Sequence, residues 1–184
     1  MDAGLARNGR RLFGGEVRWG LLGFLFLVSC GVGDPSTWEA VVPAERLEMD
    51  WWEDRHEEKT EASGRCEVAF VGDSITQGWE KTGKEVWDRY FADRNALNLG
   101  FSGDRTEHVL WRLENGEAEE VRPKVFVVMI GTNNTGTRGD SPEETAAGIE
   151  AIVKKLRDGW PQSKVLLLGV FPRDSRAWAG DRRK

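Results

Sequence analysis

Three short apolar runs in this chain each end in glycine, with polar residues close behind. They are "VAFVGDS" over 68–74, "ALNLGFSGDRT" over 96–106 and "VFVVMIGTNN" over 125–134. Apolar residues follow one another in these runs instead of alternating with polar ones. That pattern suits strands buried on both faces, which is the situation in a parallel sheet covered by helices. Parallel strands need crossover connections, and helical patterns separate the runs. Val86, Trp87, Tyr90 and Phe91 share one helical face, as do Thr106, Val109, Leu110 and Leu113. The clearest helix is "SPEETAAGIEAIVKKLRDGWP", 141–161. Ser141 and Glu144 make a capping box, Pro142 suits the first turn, and Ile149, Ile152, Val153 and Leu156 form its stripe. A fourth apolar run, "KVLLLGVF", follows at 164–171. The expected fold is an α/β three-layer sandwich with a mainly parallel, flavodoxin-like sheet.

In such sheets, sites form beyond the carboxyl ends of the strands, near the point where strand order reverses. With strand order 2-1-3, the three polar clusters become neighbours. The first would deliver Ser74 to the mouth of the sheet. Taken singly, each residue has a plain structural reading. Ser74 is a turn or cap residue, Gly103 a turn glycine and Asn133 an Asx-turn residue, with Asn134 competing for its role. Asp73 is expected to hold its turn through backbone hydrogen bonds. Taken together and in order, they describe a serine nucleophile beside hydrogen-bond donors.

These blocks resemble those of the SGNH hydrolases, the GDSL esterase/lipase superfamily. "FVGDSITQGW" is similar to the first block, "NLGFSGDRT" to the second and "IGTNN" to the third. The stretches "ALNLGFSGDRTEHVLWRLENGE" and "PKVFVVMIGTNN" resemble the catalytic-subunit branch of intracellular platelet-activating-factor acetylhydrolase. The likeness runs from about residue 50 to 173. It implies that Ser74 is the nucleophile. It also implies an oxyanion hole made by the N–H of Ser74, the N–H of Gly103 and the side-chain amide of Asn133. Fixed donors of this kind stabilise the charge that develops on the carbonyl oxygen, and losing one costs ~2.7–4 kcal/mol. The motif is G-x-S-x-T, distinct from the G-x-S-x-G elbow of α/β-hydrolases. The implied reaction is hydrolysis of a short-acyl ester such as an acetyl ester, through an acyl-enzyme, without metal or organic cofactor. The resembled subunits dimerise, which makes a homodimer an expectation.

The same family draws its base from a D-x-x-H block near the C-terminus, and no such block occurs in this sequence. The chain holds two histidines, His56 and His108. His56 lies in the charged "EDRHEEK" segment, expected to be a solvated helix. His108 lies on the helix leaving the second block and is expected to be scaffold. A serine without an adjacent base is a poor nucleophile at neutral pH. The expectation is therefore a C-terminally truncated domain, over 44–184, lacking the last strand and helix and impaired as an enzyme. The alternative is a non-catalytic remnant or an envelope binding module using the same groove. A nucleotide-binding flavodoxin-like domain ranks last, since no glycine loop cradles phosphates. The near-miss "GWEKTGKE", 78–85, has Glu85 where a P-loop needs Ser or Thr.

The N-terminal region has a different character. Arg7, Arg10, Arg11 and Arg18 precede "WGLLGFLFLVS", an apolar run shorter than the ~20 residues of a membrane-spanning helix. This pattern reads as a signal peptide over residues 1–30. "LVSC" resembles the bacterial lipobox, which would lipidate Cys30 and tether the protein to a membrane in the cell envelope. Residues 31–43 read as a linker, and Pro43 is expected to open a helix reaching about residue 60. Cys66 would be a small residue at the start of a strand. The net charge of −5 argues against a nucleic-acid partner. Small-molecule or carbohydrate esters are the expected substrates.

Overall fold

The computed structural model describes residues 34–62 and 64–171. The expected signal peptide, the lipidation site Cys30 and the residues after 171 lie outside the described residues. Four strands, β1 (Val68–Gly72), β2 (Leu97–Gly100), β3 (Val125–Met129) and β4 (Lys164–Leu167), pair in parallel in the order β2-β1-β3-β4. Gly72 stands opposite Gly100 on one side and Met129 on the other. The chain therefore leaves three adjacent strands at the same level, which brings the three polar clusters to one edge.

The helices are α1 (Asp50–Thr60), α2 (Ser74–Gln77), α3 (Lys84–Tyr90), α4 (Thr106–Glu114) and α5 (Pro142–Gly159). The start of α5 follows from its sequence: Ser141 Oγ accepts the Glu144 N–H at 3.1 Å, and the Glu144 carboxylate accepts the Ser141 N–H at 2.8 Å. Helices α4 and α5 cover one face of the sheet. Ala69, Val71, Leu99, Phe126 and Val128 pack there against Val109, Leu113, Ile152, Leu156 and Trp160. Burial of this apolar surface is the main force holding the domain together.

The opposite face is covered only in part. Trp79, Trp87 and Phe91 pack around Phe70. Helix α3 spans only seven residues. Val125, Val127, Leu166 and Leu168 consequently line an open apolar groove of ≈ 580 Å³. The continuous apolar runs suit a sheet with helices on both faces, and α3 covers its face less completely than α4 and α5 cover theirs. Among the described residues nothing packs over β4 on this side, and Leu166 is 51% exposed.

Two sequence expectations change near the N-terminus. The described part of the 31–43 linker is folded onto the domain. Asp34 caps a 3-10 turn over Pro35–Thr37, a second turn spans Glu39–Val41, and the buried Ala40 accepts a hydrogen bond from Thr106 Oγ1 at 2.8 Å. The following helix begins at Asp50 and not at Pro43. It is also not simply solvated: Trp52 and His56 are buried, with His56 packed against Trp52 and Trp111. Aromatic packing across elements outweighs the charged composition of the segment.

Candidate active site

Ser74 is the first residue of α2, directly after β1. Asp73 is its N-cap, with Oδ1 accepting the Ile75 N–H at 2.9 Å. Such caps satisfy an otherwise orphaned helix donor. Helix α2 sits hard on the end of β2. A side chain at Gly100 would come within 2.3 Å of the Gln77 nitrogen. Asn98 reinforces this seat: its Nδ2 donates to Thr76 O and its Oδ1 accepts from the Gly100 N–H, both at 2.9 Å. A strand, a cap and a buried amide thus present Ser74 at the sheet edge with its side chain exposed.

The second cluster closes on the same place. Ser74 and Ser102 line one groove of ≈ 760 Å³, together with Gln77, Gly78 and Lys81. Gln77 Oε1 accepts the Ser102 N–H at 2.8 Å and so links the first loop to the second. Gly103 has φ +77°, a conformation that disfavours any side chain. The next residue, Asp104, is fully buried and heavily bonded. Its carboxylate accepts from Trp52 Nε1 at 2.8 Å, Arg46 at 3.0 Å and Arg112 Nε at 3.0 Å. Arg112 also pairs with the buried Glu117 and lies over the Phe101 ring. Burial pushes the Glu117 carboxyl up to about 7, against the pull of Arg112.

The third cluster joins through Asp104. Asn133 Nδ2 donates to Asp104 O at 2.9 Å. A side-chain amide carries two hydrogens, which leaves the other available as a donor. Asn134, the competing asparagine, is wholly buried and committed: it accepts from the Thr106 N–H and donates to Thr106 Oγ1 and to Asp140. The structure therefore brings Ser74 and the Gly103 loop to one groove and ties Asn133 to that loop.

Neither histidine lines the groove. His56 Nε2 is 3.1 Å from Asn115 O, and burial lowers its pKa. His108 Nδ1 accepts the Arg105 N–H at 3.0 Å. Burial, then the charges of Arg105, Arg46, Arg112 and Arg138, push His108 down to about 3. Both rings are neutral scaffold at neutral pH.

Sequence reasoning missed the far wall of the groove. Trp51, Asp54, Arg55 and Glu58 form it. Their spacing of three, four and seven residues is the repeat of one helical face, and that was the available signal. Arg55 is held by a two-pronged ion pair to Glu80 at 2.9 and 2.8 Å and by a bond to Gly100 O at 2.9 Å. Arg46 and Asp104 were missed as well.

Known proteins resemble this chain in sequence and in fold. The chain is 48% identical over 107 residues to platelet-activating factor acetylhydrolase IB subunit alpha1 of Homo sapiens, covering 58% of this chain and 44% of that protein. It is 47% identical over 110 residues to subunit alpha2 of Rattus norvegicus, covering 60% and 46%. The chain thus matches somewhat under half the length of these relatives. A GDSL-like lipase from Bacteroides thetaiotaomicron shares the fold, with TM-score 0.53 and 21% identity over 68% of this chain and 61% of that one. Residues 70–184, which begin within β1 and contain all three clusters, match the GDSL-like lipase/acylhydrolase family. The match takes in more than half of the sequence, and the chain belongs to that family of SGNH hydrolases.

Proposed function

We propose that this protein is a serine esterase that cleaves short-acyl carboxylic esters, acetyl esters foremost. The observation that carries this reading is the meeting of Ser74 with the Gly103 loop in one groove, with Asn133 bonded to that loop. Ser74 Oγ attacks the ester carbonyl carbon and gives up its proton to solvent water, since neither histidine lines the groove. The carbonyl oxygen takes up negative charge, which the N–H groups of Ser74 and Gly103 and the Asn133 amide stabilise. Collapse expels the alcohol and leaves an acyl-enzyme, which water then hydrolyses. The names of the curated relatives support an acetyl group. With both histidines committed elsewhere, the rate of this chain is impaired. Stabilisers that remain after loss of a triad member still give ~10³–10⁴-fold over water.

Hydrolysis of p-nitrophenyl acetate by the wild type, beside Ser74→Ala, tests the reading. The expected result is a slow turnover that vanishes in the variant. Equal rates in both would defeat it. A second reading, a non-catalytic binding module that uses the same groove, is favoured by the neutral, buried state of His56 and His108. A fluorophosphonate probe separates the two, because only an activated serine is labelled.

A further inference from the structure

Gly103 is held from a place outside the family's three blocks. Arg46 precedes α1 and lies upstream of the matched residues 70–184. Its Nη1 donates to Ser102 O at 2.9 Å and to Asp104 Oδ1 at 3.0 Å. The guanidinium thus grips the residue before Gly103 and the residue after it. It also packs on Gly103 itself, since a Cβ there would lie 3.2 Å from Nη1 and 3.3 Å from Nη2. Arg46 is in turn held from behind: Nη2 lies 3.1 Å from Met49 Sδ, and the Trp51 ring centroid is 5.7 Å from Cζ.

The Ser102 carbonyl and the Gly103 N–H belong to one peptide unit. That unit is planar and trans, so its C=O and N–H point in opposite directions. A bond that fixes the carbonyl therefore aims the N–H away from Arg46. The bond is also charge-assisted, and such bonds are about twice as strong as neutral ones. Polarising the carbonyl strengthens the N–H on the far side of the same amide, an effect of roughly 10–30% per bond. Among the described residues, no acceptor takes up the Gly103 N–H.

We propose that Arg46 is a positioning residue for ester hydrolysis: its guanidinium orients and polarises the Ser102–Gly103 peptide, whose N–H is a donor to the charged acyl oxygen. This rests on the esterase reading above. It adds a positive charge behind the oxyanion hole, supplied by the segment that precedes α1.

The test compares wild type, Arg46→Met and Arg46→Lys as full chains, with folding checked by near-ultraviolet circular dichroism. Two readouts are taken: p-nitrophenyl acetate kinetics and the Gly103 amide resonance in ¹⁵N-glycine-labelled protein. The expected result is a fall in kcat of roughly 10-fold in Arg46→Met, smaller than outright loss of a donor, with KM within about twofold. The Gly103 amide proton should move upfield in Arg46→Met and less in Arg46→Lys. A residue that only supported the fold would leave that resonance and the kcat-to-KM split unmoved. An unchanged Gly103 resonance, or an unchanged kcat, overturns the proposal. Should Arg46→Met fail to fold, Arg46→Lys decides by the same two readouts. A wild type without Ser74-dependent turnover defeats the esterase reading, while the Gly103 resonance still decides whether Arg46 sets the peptide.

Discussion

His108, five residues past Gly103, shows how a single environment overrides a residue's usual chemistry. Its Nδ1 is an acceptor, and four arginines surround it, with Asp104 and Glu107 each 3.8 Å from the ring. Its folded pKa of about 3 lies below the ordinary 6.5. Between those values the unfolded chain binds a proton that the folded chain refuses. Stability is therefore full above pH 6.5 and falls as pH drops toward 3, with a slope approaching ~1.4 kcal/mol per pH unit. Glu117 acts in the opposite sense. Its raised pKa makes the folded state hold a proton between 4.5 and about 7, so its contribution declines as pH rises through that window. The comparison of wild type with His108→Asn isolates the histidine, because asparagine keeps an acceptor for the Arg105 N–H. Urea melts across pH 4–7 should show a shallower acid decline in the variant. Equal slopes would remove His108 from the account. Ser74, Gly103 and Asn133 were readable because each follows an apolar run. Arg46 was not, since its partner Ser102 lies 56 residues away.

At the scale of elements, the strand ends and the first turn of α5 were legible because their signals are local. Caps, apolar periodicity and glycine placement act within a few residues. The seating of α2 was not legible, because it depends on Asn98 from another strand, 22 residues from Thr76. Removing a partner of a buried polar group costs ~1–3 kcal/mol. Asn98→Ala should lower stability by about that amount in urea unfolding. It should also reduce labelling of Ser74 by fluorophosphonate, because α2 loses its anchor. Full labelling with unchanged stability would show that the close approach at Gly100 seats α2 by itself. The N-terminal segment tells the same story: residues 31–43 read as a linker, yet Ala40 is drawn in by Thr106, 66 residues away.

Among the described residues, α4 and α5 pack one face of the sheet, while β4 and the groove beside it leave apolar surface exposed. Leu166, Leu167, Leu168, Val170 and Phe171 are all exposed at or after β4. Exposed apolar patches of this kind bind other apolar surfaces, and edge strands commonly carry lysine to prevent it. The native protein should bind the dye ANS, and Leu166→Lys should weaken that binding with little change in stability, because Leu166 is already 51% exposed. Dye fluorescence unaffected by the substitution would place the apolar surface elsewhere. The sequence by itself determined the alternation of strand and helix, the parallel sheet and the identity of the residues at its strand ends. Those features come from periodicity and turn chemistry, which act over a few residues. Only the tertiary structure decided that His56 and His108 are buried and neutral, that α1 walls the groove, that Arg46 grips Gly103 and that, among the described residues, an apolar groove stays open beside β4. Each of these depends on which distant segments meet, and the balance of burial, charge and close packing between them exists only once they do.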